Sequence, residues 1–490
     1  MFLERIYDDR LAQAAYLIGC QKTGAAVVID PERDVDRYIR IAEANGLRIT
    51  AITETHIHAD FLSGARELAE KTGATLYLSG EGGEDWQYSW LNKKSGGGSY
   101  DHQILLDGDS ITVGNVEVKA VHTPGHTPEH LSFMVTDHGG GADDPMGIVT
   151  GDFVFVGDVG RPDLLESAAG QQGAAEPSAH ELWDSLRWFD RLDDYIQVWP
   201  GHGSGSACGK ALGAIPMTTV GYERRFNNAL VSSRSDAGTF AKGILDGQPD
   251  PPYYFARMKK ENREGPALLG DLPVPEKASA VDVAGKIGGS DVVLLDTRSW
   301  AEYRKGHIKG ALHTPFDKSF PTLAGSYVRP EQTIYLLISP EDVEEATRNL
   351  VRVGLDKVAG YITPEEGGAF ILANVDKKSE ITATTTEGLA ASLREKNVTV
   401  LDVRGEAEYR QGHVRGALQL AHTRLLGGVS NLPDETLYVH CVSGLRSAAA
   451  SAFLQSQGKS VIYVSGRFDD FAGAGIPIAA SPTQEAEAAA

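Results

Sequence analysis

Four short segments in the first half of the chain gather histidine and aspartate beside glycine or proline: "THIHAD" (55–60), "HTPGHTPEH" (122–130), "TGD" (150–152) and "WPGHGSGSAC" (199–208). A lone histidine is usually a surface group or a satisfied core group. Four such segments in one region instead suggest a metal held by imidazole nitrogens and carboxylate oxygens. A second chemical centre lies far downstream, in "CVSGLRS" (441–447). Cys441 follows an apolar strand, Gly444 permits a tight loop, and a helix starts beyond it. Backbone N–H groups would curl around the sulfur, and the helix N-terminus adds positive potential. With Ser443, Gly444 and Arg446 around it, this sulfur is set up as a nucleophile and anion cradle. Without that loop the cysteine would read as a packing residue.

The elements that must position these residues are legible. "AAVVID" (25–30) reads as a buried strand and "DRYIRIAEANG" (36–46) as a helix closed by glycine. "ITAITET" (49–55) is the next strand and delivers His56 to its C-terminal end, and "FLSGARELAEKTG" (61–73) is an amphipathic helix. Metal-type residues at strand ends in a strand–helix alternation indicate a layered α/β architecture over 1–245. A proline-rich, charged stretch marks 246–277 as a linker. Beyond it "VVLLDTRSWAEYRKGHIKGALHTP" (292–315) recurs as "VTVLDVRGEAEYRQGHVRGALQLA" (398–421), so 278–376 and 380–479 are two copies of one domain. The alanine-rich end, 480–490, reads as a disordered tail.

Composition narrows the classes. At 490 residues the chain exceeds one hydrophobic core. A net charge of −21 argues against binding a nucleic-acid backbone. No apolar run reaches the roughly 18 residues of a membrane span, and the N-terminus lacks a leader's apolar region. A cytoplasmic location is expected. The three cysteines, Cys20, Cys208 and Cys441, form no disulfide framework. Cys20, in "AAYLIGC", reads as core.

The "LDVR…EY…GHV" stretch with the "CVSGLRS" loop resembles the rhodanese family, in tandem. That resemblance implies two α/β domains with parallel sheets and a sulfane sulfur carried on Cys441 as a persulfide. Protein phosphatases also run from "HC" to an arginine, but here Val442 to Leu445 leave one residue fewer than their loop has, which suits a sulfur atom better than a phosphate. In the first copy Ile338 aligns with Cys441, and Ser339, Pro340, Glu341 and Asp342 replace the cradle. This copy is expected to be inactive, a scaffold or an interface.

Residues 1–245 resemble the metallo-β-lactamase fold, two mixed sheets stacked between helices (αββα). In that family's binuclear hydrolases, a histidine follows the aspartate of the first motif. Here it is Phe61, which implies one metal per chain rather than two. Persulfide dioxygenases of this fold use non-heme Fe(II) held by two histidines and a carboxylate. By resemblance the ligands are His56, His126 and Asp152. His58, Asp60 and His202 would then orient ligands or waters. Arg161 of "GRPDL" would face a thiol substrate, and Cys208 is a candidate persulfide relay. The combination resembles a persulfide dioxygenase–rhodanese fusion. It implies a thiol persulfide (glutathione, coenzyme A or a similar carrier) oxidised by O2 to sulfite, with thiosulfate made or used at Cys441. A homo-oligomer is expected. The alternatives are a glyoxalase II-like thioester hydrolase with an appended sulfurtransferase, and a sulfur-sensing module with a vestigial metal site.

Overall fold

The structure is a computed structural model that describes residues 1–168, 170–396 and 398–479; the tail expected at 480–490 lies outside the described residues. The chain divides into two compact units. One comprises Met1–Asp271 with Val351–Val353, and the rest forms the other.

In the first unit, strands β1 (Phe2–Asp8), β2 (Gln13–Cys20), β3 (Ala25–Ile29), β4 (Arg48–Thr53), β5 (Thr75–Ser79) and β6 (His102–Leu105) form one sheet in sequential order. Strands β1 to β3 are antiparallel, and β3 to β6 are parallel. Strands β7 (Ser110–Val113), β8 (Val116–His122), β9 (Leu131–Asp137), β10 (Gly147–Gly151), β11 (Gln197–Pro200) and β12 (Thr218–Thr219) form the second sheet, also mixed. The inner layer interleaves Tyr16, Ile18, Val27 and Ile29 of the first sheet with Val118, Phe133, Val149 and Trp199 of the second. Every residue of β2 is buried, which is why it reads as a continuous apolar run rather than an alternation.

Helices cover both outer faces. Helix α1 (Asp36–Ala44) and helix α2 (Ala65–Thr72) set Tyr38, Ala42, Leu68 and Ala69 on the first sheet. Helix α3 (Ala175–Phe189) sets Leu182, Leu186 and Phe189, on one helical face, against the second. This is the αββα sandwich expected from the sequence.

The expected linker at 246–277 differs from what is found. Its first part belongs to this unit and contains helix α4 (Phe255–Glu264), whose buried residues Phe255, Met258 and Asn262 fall on one face. The Trp90 indole donates to the Asn262 carbonyl, 3.1 Å, and Arg66 donates to Pro266 O, 2.8 Å. Packing of those three residues outweighs the surrounding prolines and charges.

The second unit holds two parallel five-stranded sheets. Strands β13 (Glu276–Lys277), β14 (Val292–Asp296), β15 (Leu312–His313), β16 (Thr333–Leu337) and β17 (Val358–Ile362) run in the order β13-β17-β16-β14-β15. Strands β18 (Thr382–Thr385), β19 (Thr399–Asp402), β20 (Leu418–Gln419), β21 (Leu437–His440) and β22 (Val461–Ser465) repeat it as β18-β22-β21-β19-β20. The repeated sequence motif turns out to be scaffold. In each copy the aspartate ending a central strand takes a bidentate arginine two residues later, Asp296–Arg298 and Asp402–Arg404, each 2.6 Å at closest. That arginine also donates to a glycine carbonyl, Gly306 or Gly412. The repeated Tyr–His pair stacks, Tyr303 on His307 and Tyr409 on His413.

Candidate metal centre and sulfur-carrying loop

The parallel strands β3 and β4 and the parallel pair β10 and β11 all end at one edge of the sandwich. His56 follows β4, Asp152 follows β10, His202 follows β11, and the turn between β8 and β9 brings His126. Gly151 makes the turn from β10 into Asp152 possible: its φ is +47°, and a Cβ there would collide with Thr55.

One ligand atom from each of His56, His126 and Asp152 can be chosen so that all lie within 4.8 Å of one another. Asp152 Oδ2 lies 3.5 Å from His126 Nε2 and 4.0 Å from His56 Nε2. All three side chains are buried, at 1–3% exposure. Their tautomers are set from behind. His56 Nδ1 pairs with the Thr55 hydroxyl at 3.0 Å, and that hydroxyl donates to Asp30. His126 Nδ1 donates to the Arg161 carbonyl, 3.1 Å. Each ring thereby keeps its Nε2 lone pair for the interior. Burial and the neighbouring imidazoles hold both rings far below the usual histidine range, hence neutral. Burial raises the Asp152 carboxyl, and both its oxygens lack a hydrogen-bond donor. A buried carboxylate without donors facing two free imidazole lone pairs fits a divalent cation.

A second trio adjoins the first: Asp60, His202 and Cys208 also bring ligand atoms within 4.8 Å. His202 Nδ1 donates to Ala12 O at 3.0 Å, leaving Nε2 3.4 Å from Asp60 and 3.3 Å from Asp152. Burial and the nearby carboxylates push the Cys208 thiol well up, so it stays protonated unless a cation binds. Phe61 is fully buried and packs its ring on His58, 4.4 Å between centroids. His58 pairs its Nε2 with Asp30, 3.1 Å, and its ring lies 4.1 Å from that of His56. Burial would push it down, but the Asp30 carboxylate overrides this and raises it to about 9.

Arg161 departs from expectation. Its guanidinium is buried and makes four hydrogen bonds, two to Asp163 and one each to Ala207 O and Pro249 O. It is a clamp that positions its own carbonyl behind His126, not a free cation facing substrate.

Several residues that hold the site were not singled out in the sequence. Asp30, at φ +54°, caps β3 and receives Thr55 and His58. His130 accepts the Asp152 N–H, 3.2 Å. Asn262 donates to the carbonyls of His58 and Phe61 and accepts the Ser63 N–H. His130 ends the histidine-rich segment 122–130 and Asp30 ends the apolar strand 25–30, whereas no local pattern marks Asn262.

In the second unit the Cys441 sulfur accepts the N–H of Gly444, 3.2 Å, and of Ser447, 3.4 Å, at the start of helix α5 (Leu445–Ser456). Arg446 lines the cavity over the loop and is tied by a bidentate ion pair to Glu408, 2.5 and 2.8 Å, which offsets part of its charge. A cavity of about 570 Å³ opens over the loop. Ser443, Arg446 and Tyr463 line one wall, and Trp300, His313 and Leu323 of the first copy line the other. The cysteine-less copy, with buried Ile338 in the equivalent place, thus forms part of the cavity.

The metallo-β-lactamase superfamily model matches residues 8–202, and the rhodanese-like domain model matches 279–362 and 385–474. A solved metallo-β-lactamase from Staphylococcus aureus subsp. aureus COL is 42% identical, with TM-score 0.66, and the match covers 74% of this chain and 99% of that one. The chain belongs to the metallo-β-lactamase superfamily, and its C-terminal part carries two rhodanese-like domains. Bovine (Bos taurus) mitochondrial persulfide dioxygenase ETHE1 is 25% identical over 237 residues, 48% of this chain and 77% of that protein. A hydroxyacylglutathione hydrolase from Rhodospirillum rubrum is 29% identical over 187 residues, 38% of this chain and 60% of that protein. The chain spans about six tenths of the length of the first curated relatives it matches. No helix among the described residues is long and apolar enough to cross a membrane.

Proposed function

We propose that the chain is a persulfide dioxygenase coupled to a sulfurtransferase. The observation that carries this reading is the buried trio His56, His126 and Asp152, with both carboxylate oxygens lacking donors. Two imidazoles and one carboxylate are the donor set of non-heme Fe(II) oxygenases with open positions. Bound there, Fe(II) would supply a place where O2 and a persulfide sulfur meet. The overall change is R–S–SH + O2 + H2O to R–SH, sulfite and two protons. The chain's own part is to fix the tautomer of both imidazoles, through Thr55 and the Arg161 carbonyl, to keep them neutral by burial, and to keep bulk water from three buried ligands.

Cys441 would carry the second step. Its thiolate, held by the Gly444 and Ser447 N–H groups, attacks the outer sulfur of a second R–S–SH, breaking that S–S bond, releasing the thiol R–SH and leaving the sulfane sulfur on Cys441 as a persulfide. Sulfite attack on the outer sulfur then yields thiosulfate and returns the thiolate, or the reverse draws sulfur from thiosulfate. Sulfite is the product of one site and a substrate of the other, which is a reason to join them in one chain.

A second reading has one observation in its favour. Asp60, His202 and Cys208 provide another donor trio beside the first, as a two-metal thioester hydrolase would require. Metal analysis of anaerobically purified protein, with O2 uptake on adding glutathione persulfide, separates the two. One iron per chain with stoichiometric O2 consumption supports the oxygenase; two zinc ions and hydrolysis of an acyl-glutathione without O2 would replace it.

A further inference from the structure

Helix α4, in the stretch expected to be a linker, walls a cavity of about 280 Å³ with Lys259, Lys260 and Arg263. Trp86 and Asp85, from the aromatic segment "GEDWQYSW" (83–90), lie in the same lining, as does Ile57. Ile57 stands between His56 and His58, and its N–H donates to Glu129 at 2.7 Å. The cavity therefore borders the loop that supplies one of the proposed ligands.

Three cations against one carboxylate are unusual in a chain whose net charge is −21. They are also poorly neutralised. Among the described residues Lys260 is exposed and makes no ion pair, and Lys259 rests over the Trp86 ring, 4.2 Å from its centroid, with no carboxylate at ion-pair distance. Arg263 gives one hydrogen bond to the Asp85 carbonyl and reaches Glu264 at 3.5 Å. A cluster of three cations beside an aromatic wall, with Lys260 unpaired among the described residues and Lys259 facing only the Trp86 ring and the more distant Glu129 carboxylate, is what an anionic, partly apolar ligand requires. The volume is below that of most whole-ligand pockets, so it suits one end of a ligand.

We infer that this cavity binds the acidic end of the thiol carrier, through Lys259, Lys260 and Arg263, and so determines which persulfide reaches the metal centre. The inference rests on the persulfide reading above and deepens it. The recognised group is an anion, either a carboxylate of a small peptide thiol or a phosphate of a nucleotide thiol.

Calorimetric titration of the metal-loaded full chain tests this with three probes: S-methylglutathione, S-methyl-coenzyme A and the neutral S-methyl-N-acetylcysteamine. One of the two anionic probes should bind more tightly than the neutral one; S-methylglutathione identifies a carboxylate and S-methyl-coenzyme A a phosphate. Lys260→Glu should weaken that probe about tenfold or more, the order expected when one exposed ion pair becomes a repulsion at a partly buried cluster. Lys260→Arg should restore it. In turnover, Lys260→Glu should raise KM for the matching persulfide and leave kcat largely in place. Equal binding of all three probes, or wild-type affinity in Lys260→Glu and in Arg263→Gln, would overturn the inference. Loss of anion binding in a protein that consumes no O2 would leave the cavity assignment standing and sink the oxygenase. O2 uptake with KM unchanged in Lys260→Glu would do the opposite.

Discussion

Gly444→Ala tests the sulfur-carrying loop with a perturbation that touches neither the sulfur nor a charge. Gly444 sits at φ +96°, in the left-handed region, and hands its N–H to Cys441 at 3.2 Å. An alanine in left-handed backbone costs roughly 1–2 kcal/mol. The added Cβ would also overlap the Tyr463 hydroxyl, whereas the ring carbon that bears it lies at 3.5 Å, an ordinary contact. Overpacking of that kind costs about 1–3 kcal/mol, so the two effects together amount to about 2–5 kcal/mol. They are separable. Tyr463→Phe removes the overlapping oxygen and should recover the packing part, leaving roughly the 1–2 kcal/mol of backbone strain. Urea unfolding of the wild type, both single variants and the double variant gives the cycle. Thiocyanate formation from thiosulfate and cyanide reports the loop's chemistry, and the Gly444→Ala protein should lose most of it while retaining bound metal. A Gly444→Ala protein with wild-type stability and sulfurtransfer, or a double variant no more stable than Gly444→Ala, would refute this account of the loop.

Asp152→Ala should abolish bound metal and O2 uptake while thiocyanate formation persists, measured by metal analysis and an oxygen electrode; iron retained at one per chain would remove Asp152 from the ligand set. Cys441→Ser should leave O2 uptake in place and change the product of persulfide oxidation from thiosulfate to free sulfite, read by chromatography of labelled sulfur species. Burial pushes Lys259 down to about 8, with the Glu129 carboxylate opposing it and Lys260, Arg263 and Asp85 in the same lining; its proton, and with it part of the cavity's affinity for an anionic probe, should be lost as pH rises from 7 to 9. Lys259→Arg should flatten that decline. Asn262→Ala removes three buried hydrogen bonds from the His58–Ser63 segment and should cost a few kcal/mol, seen as a lower unfolding midpoint together with weaker metal retention.

What the sequence made visible was whatever sits at the end of an apolar strand. The strand register carried His56, Asp152 and His202 to one edge, so three segments scattered over 150 positions could be read as one centre from their flanking patterns. The repeat was visible for a different reason: its aspartate–arginine and tyrosine–histidine pairs are local, closed within about ten residues, and so recur as strings. Interactions that close over long distances left no such trace. Asn262 reaches back to Phe61, and the α4 cations reach Trp86, from a stretch whose prolines and charges suggested a tether.

Arg161 shows the complementary error. It looked like a cation facing substrate, and it is bound to a carboxylate two residues on, Asp163, whereas Arg446 lines the cavity over Cys441 while sharing its charge with Glu408. A buried guanidinium is stable only with its donors engaged. An arginine next to a buried site is therefore first a candidate for a clamp, and the cations left to meet a ligand are the ones the fold keeps without partners. In the first unit Lys260, exposed and making no ion pair among the described residues, meets that condition, and Lys259 comes near it. That difference is why substrate selection is placed on helix α4 and not on Arg161.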